Sequence, residues 1–243
     1  MRTPTSFRRT ASLAGIASVV LANVAARFGN AGGGVPSPFE APAGDIAGYY
    51  ADHSTSMSIS AYLYGLSAIC LVVFAVAVWD RLCNPGPAEA RSWALVGMLG
   101  TAGYAVLLLV LALLQLALAG LTLRDSASGQ VFAGLAVLWA MAAVMLVPGS
   151  VALLLGFGMA ARRSGAFSGL LSNLALIGAG LGVVPPPEVL GPVSPVLGSL
   201  GFVLSELQPW MLVLWVLGTA WVLRRTEAAE LEQRKLSTGE AGG

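Results

Sequence analysis

Charge is what this sequence has least of. Only 10% of its 243 residues are Asp, Glu, Lys or Arg, where soluble domains carry about 25%. So few charges cannot make a water-facing surface, and lipid must cover most of the exterior. Thirteen Lys and Arg against twelve Asp and Glu leave a net charge of +1. That near-balance excludes nucleic acid as a partner, because neutralising phosphates needs clustered basic residues. Cysteine is almost missing too. Cys70 lies in an apolar run, and Cys83, like Asp80, in the short loop expected after it; the two cysteines have no CxxC spacing and form no disulfide framework. The single histidine, His53, rules out bis-histidine haem ligation within one chain. A zinc site would need carboxylates or cysteines that are not clustered. No metal or cofactor is therefore expected. HExxH, GxSxG, paired aspartates and a phosphate-cradling loop are all absent, and no catalytic residue is assigned.

Length without charge is what remains. Hydrophobic residues make up 56% of the chain, with a mean hydropathy of +0.79. Trp93 to Leu123 holds no charged side chain; as a helix it would be about 46 Å long, against a hydrocarbon core of about 30 Å. Five further apolar runs accompany it: Ala11–Phe28, Ser56–Trp79, Val131–Ala161, Phe167–Val184 and Leu197–Leu223. The predicted fold is an all-α integral membrane bundle of six transmembrane helices with one short outer amphipathic helix. Its parts are an N-terminal segment over 1–10, a membrane domain over 11–225 with an outer loop over 29–56, and a partly disordered tail over 226–243. The first run also has the layout of a signal peptide, with Arg2, Arg8 and Arg9 before it; its length favours a retained helix.

Placing the N-terminus in the cytoplasm and alternating six spans puts Arg2, Arg8, Arg9, Arg81, Arg91, Arg162, Arg163, Arg224, Arg225, Arg234 and Lys235 inside. Only Arg27 and Arg124 fall outside. This is the positive-inside pattern of the cell membrane, with both termini cytoplasmic.

Polar residues inside apolar runs are the candidate functional groups. Glu206 would either pair with a cation or take up a proton; Arg124, Arg27 and His53, next to Asp52, are the available outer partners. Gln115, Tyr104 and Asn173 are the deeper members of the same expected cluster. The alternative is that Glu206 marks the start of the last helix and faces the headgroups. Ile46, Tyr49, Tyr50 and His53 share one helical face, either of an interfacial helix or of a lid over an opening between helices. Pro148 and Pro209 predict kinks. Ala61, Gly65 and Ala68, and the pair Gly178 and Gly182, are small-residue faces for close packing.

The stretch Gly44-Asp45-Ile46-Ala47-Gly48-Tyr49-Tyr50-Ala51-Asp52-His53, set between a first and second span, resembles a feature of bacterial multi-pass membrane proteins of unassigned function. The resemblance implies a small cytoplasmic-membrane protein and transfers no site residues. Three functions are open at this point. One is a non-enzymatic protein that packs against a second copy or another membrane protein. The second is a small transporter or ligand-binding protein built around Glu206, and the third an enzyme acting on lipid.

Overall fold

The computed structural model describes residues 5–30, 35–84, 86–122, 129–184 and 195–239. Arg124, with the loop around it, and the proline-rich segment after Val184 lie outside them. The described chain is all-helical: α1 Thr5–Gly29, α2 Ala43–Asp52, α3 Ser54–Cys83, α4 Ala88–Leu121, α5 Gly129–Ser164, α6 Gly169–Gly182 and α7 Pro195–Gly239. Five of these, α1, α3, α4, α5 and the Glu206–Thr226 part of α7, are long and apolar enough to cross a membrane. The chain is a helical membrane protein.

The stretch expected as a fifth span is shorter than the rest. It forms α6, with 14 residues, or about 21 Å. Gly165 turns the chain with φ +63°, and the Ser168 hydroxyl then accepts from the Leu171 N–H to cap the helix. The helix stops at Gly182, just before three prolines.

The spans form a ring in sequence order. α1 packs on α3, α3 on α4, α4 on α5, α5 on α6 and α6 on α7, and α7 returns to pack on α1. Neighbours in the chain are thus neighbours in space. At one end the interior is filled by rings from three helices. Phe157 of α5 stacks on Trp215 of α7 at 5.8 Å, and Phe74 of α3 meets the same indole edge-on at 6.2 Å. All three are buried, and they plug that end of the bundle.

α1 is built into this ring. The Ser67 hydroxyl donates to the Ser18 carbonyl at 2.9 Å, and the Ser60 hydroxyl donates to the Ala25 carbonyl at 2.8 Å. At the plugged end Arg8 pairs with Asp80 at 3.2 Å. Asp80 was expected in a loop, but α3 runs on to Cys83 and buries it.

Both small-residue faces are occupied by the chain itself. Ala68 packs with Ala105 and Leu108 of α4. A side chain at Gly178 would meet Met211 and Leu154, and one at Gly182 would meet Val151. The tightest crossing lies elsewhere, between Gly97 and Gly100 of α4 and Gly149 and Gly156 of α5.

α2 turns its apolar face to protein rather than to lipid. Ile46 and Tyr50 are buried against Met57, Leu118, Ala119, Phe132 and Ala136. The Tyr50 hydroxyl has no hydrogen-bond partner among the described residues, and desolvation, helped by Tyr49, raises its pKa above the usual 10.0. A buried hydroxyl without a partner costs about 1–3 kcal/mol, so Tyr50→Phe should stabilise the protein in detergent. The raised pKa leaves the stability it carries intact below pH 10. Above that the unfolded phenol ionises first and stability falls. The Phe variant should lose that alkaline sensitivity, as melting temperatures at pH 8 and pH 11 would record.

Candidate functional site

At the end of the ring opposite the aromatic plug lies a cavity of about 500 Å³. Five helices wall it, and each does so because one stripe faces inward while its other faces pack or meet lipid. On α4 the stripe is Tyr104, Leu108, Leu111 and Gln115, since eleven residues make about three turns. On α5 it is Trp139, Ala143 and Leu146; on α3, Tyr64, Ser67 and Leu71. α1 contributes Ser18 to Asn30, and α7 contributes Glu206, Pro209, Val213 and Val216. From Glu206 to Val216 the wall drops about 15 Å at the rise of a helix, half the hydrocarbon thickness. Leu71 and Val216 form its floor, beside the Phe74 and Trp215 plug. The cavity is open rather than sealed, and the exposed Asn23, Glu206 and Trp210 lie on its rim.

Its lining is mostly apolar, with a few polar groups at fixed points, the usual make-up of a small-molecule site. Gln115 is the most informative. Its side chain is 1% exposed, and its amide nitrogen donates to the Met57 sulfur at 3.0 Å. The amide oxygen Oε1 has no partner among the described residues. The indole N–H of Trp139 is likewise buried without a partner. Buried polar groups are nearly always satisfied. Both residues line the same cavity, and each carries one buried polar atom without a partner among the described residues.

Glu206 lines the cavity and is exposed. Among the described residues it makes no ion pair, so neither Arg27 nor His53 holds it. Arg27 is exposed on the last turn of α1. His53 sits at the α2–α3 junction, where its ring stacks on Tyr49 at 4.5 Å and Nδ1–H donates to the Tyr49 carbonyl at 2.9 Å. Asp52 is exposed beside it. Asn173 does not join the cavity: α6 lies outside the wall and turns this side chain outward. Of the expected cluster, Glu206, Gln115 and Tyr104 share one cavity; Arg27, His53, Asp52 and Asn173 stand apart from it.

The two prolines sit within unbroken helices, Pro148 in α5 and Pro209 in α7. Each lacks the N–H that would reach the carbonyl four residues back. Between them the Gln208 amide donates to the Ser150 hydroxyl at 2.7 Å, which ties the two weakened turns together. Trp139, Tyr64 and Trp210 were missed by the sequence reading. The available signal was an aromatic or polar side chain three or four residues from others on the cavity stripe.

No metal-binding group of three or more His, Cys, Asp or Glu occurs among the described residues. Comparison with protein-family models, with curated proteins and with solved structures finds no match for this chain. The site must therefore be read from its own geometry.

Proposed function

We propose that this is a multi-pass protein of the cytoplasmic membrane, termini inside, whose outward-facing cavity binds a small ligand as a receptor or as the binding site of a small transporter. The observation that carries this reading is the cavity running from Glu206 and Gln115 to the aromatic plug, with an unmet buried acceptor in its wall. The arginines support the orientation. Arg8, Arg81, Arg91, Arg162, Arg163, Arg224 and Arg225 gather at the plugged end of the helices, where a positive-inside chain keeps them. A purely packing role loses its motive, because the small-residue faces that suggested it are covered by the chain's own helices. An enzyme acting on lipid has no support either, since Asp52 and His53 do not converge with Glu206 on one opening.

Thiol labelling tests the reading. In a background with Cys70 and Cys83 replaced by alanine, Ala143→Cys and Val213→Cys should react with a small water-soluble methanethiosulfonate added outside intact cells. Ala160→Cys, buried in the plugged half, should not react. Unlabelled Ala143→Cys and Val213→Cys in a folded, inserted protein would mean a closed core, and the cavity reading would be wrong.

A further inference from the structure

Resting on that reading, we infer that the ligand is a small organic ammonium with an apolar body. Among the described residues, the cavity lining contains one ionisable carboxylate, Glu206, and no Lys, Arg or His. A lone negative charge on the edge of an apolar cavity attracts a cation and repels an anion. Four aromatic rings, Tyr64, Tyr104, Trp139 and Trp210, line the same space, and ring faces attract ammonium groups. Gln115 Oε1 adds the specific element. It is buried, has no partner among the described residues, and accepts only from a donor, so it selects an ammonium that carries N–H. The apolar remainder of the lining, Leu71, Leu108, Leu111 and Val216 among it, takes a hydrocarbon body. The Trp139 N–H offers a donor to a hydroxyl or carbonyl on that body. Glu206 on the rim attracts the cation, and Gln115 takes its N–H once inside.

Four probes of one shape separate these terms: 4-phenylbutylammonium, its N,N,N-trimethyl analogue, 4-phenylbutanol and 4-phenylbutyrate. Binding is measured by calorimetry at pH 7 on the purified protein in a neutral maltoside detergent. The primary ammonium should bind saturably, at least tenfold tighter than the alcohol, and the carboxylate should not bind. Glu206→Gln should weaken both ammonium probes about tenfold or more and leave the alcohol unchanged. Gln115→Leu should weaken the primary ammonium and spare the trimethyl analogue, which has no N–H to give. Both variants are first checked for an unchanged elution volume, and the exposed position of Glu206 makes Glu206→Gln the safer of the two. The inference is overturned if the alcohol binds as tightly as the ammonium, or if Glu206→Gln leaves the ammonium unaffected; binding of the alcohol would still uphold the cavity. Binding of none of the four, with Val213→Cys still labelled, overturns the ligand class alone. Loss of both binding and labelling overturns the cavity reading as well.

Discussion

Gly156→Leu is expected to break the bundle open along the α4–α5 contact, leaving protein that aggregates on extraction or melts far below the parent. A Cβ at Gly156 would fall on the backbone nitrogen of Gly97, and within 2.8 Å of the Trp93 carbonyl oxygen. Backbone cannot rotate aside as a flexible side chain does. Opposite, a Cβ at Gly100 would strike the backbone of Ala152 and Leu153. The two helices touch main chain to main chain there, as only small residues allow. Overpacking a core costs about 1–3 kcal/mol, and a clash between two rigid helices belongs at or above the top of that range. Proteins have only about 5–15 kcal/mol to lose. Gly134→Ala is the control. Nothing lies within 4 Å of its Cβ position, and alanine is the better helix former by about 1 kcal/mol, so that variant should melt no lower than the parent. Equal behaviour of the two variants in a thermal melt would disprove the close crossing.

Removing Asp80 should be nearly as damaging. Its carboxylate accepts from Arg8 at 3.2 Å and from the Asn84 amide at 2.9 Å. The Arg8 and Asp80 side chains are only 13% and 8% exposed. Breaking a buried pair by deleting one partner costs about 3–5 kcal/mol, because the other charge stays behind desolvated; replacing both with apolar residues is often close to neutral. Asp80→Ala should therefore be strongly destabilised, and Arg8→Met with Asp80→Leu should recover most of the loss. A double-mutant cycle measures the coupling, and a value near zero would refute the pair. The Arg163–Glu89 pair has the same 3.2 Å separation but is about half exposed on both sides. Such pairs contribute about 0–1 kcal/mol, so Glu89→Ala should be almost silent.

The spans were legible in the sequence because hydropathy reports the solvent directly. Where helices end was less so. Asp80 and Arg81 close an apolar run and look like a loop, yet the partner that lets α3 continue lies 72 residues earlier. The inward stripe on α4 was legible from the eleven-residue spacing of Tyr104 and Gln115, because lipid makes a bare amide costly. The same logic misled for Asn173, since in a membrane helix the lipid-facing and core-facing sides are both apolar and hydropathy carries no azimuth. The close crossing at Gly97, Gly100 and Gly156 was missed for a related reason: the chain is rich in glycine, and the sequence does not say which ones meet another backbone.

The return of α7 to α1 also constrains how the molecule is made. Synthesis delivers the N-terminal helices first, so Ser18, Ser67 and Gln115 are in the bilayer before the helix that completes their enclosure has left the ribosome. Until then the half-formed ring is an open crescent whose polar inner surface faces acyl chains or an insertion factor. Only α7, made after the other walls, converts that crescent into a vessel.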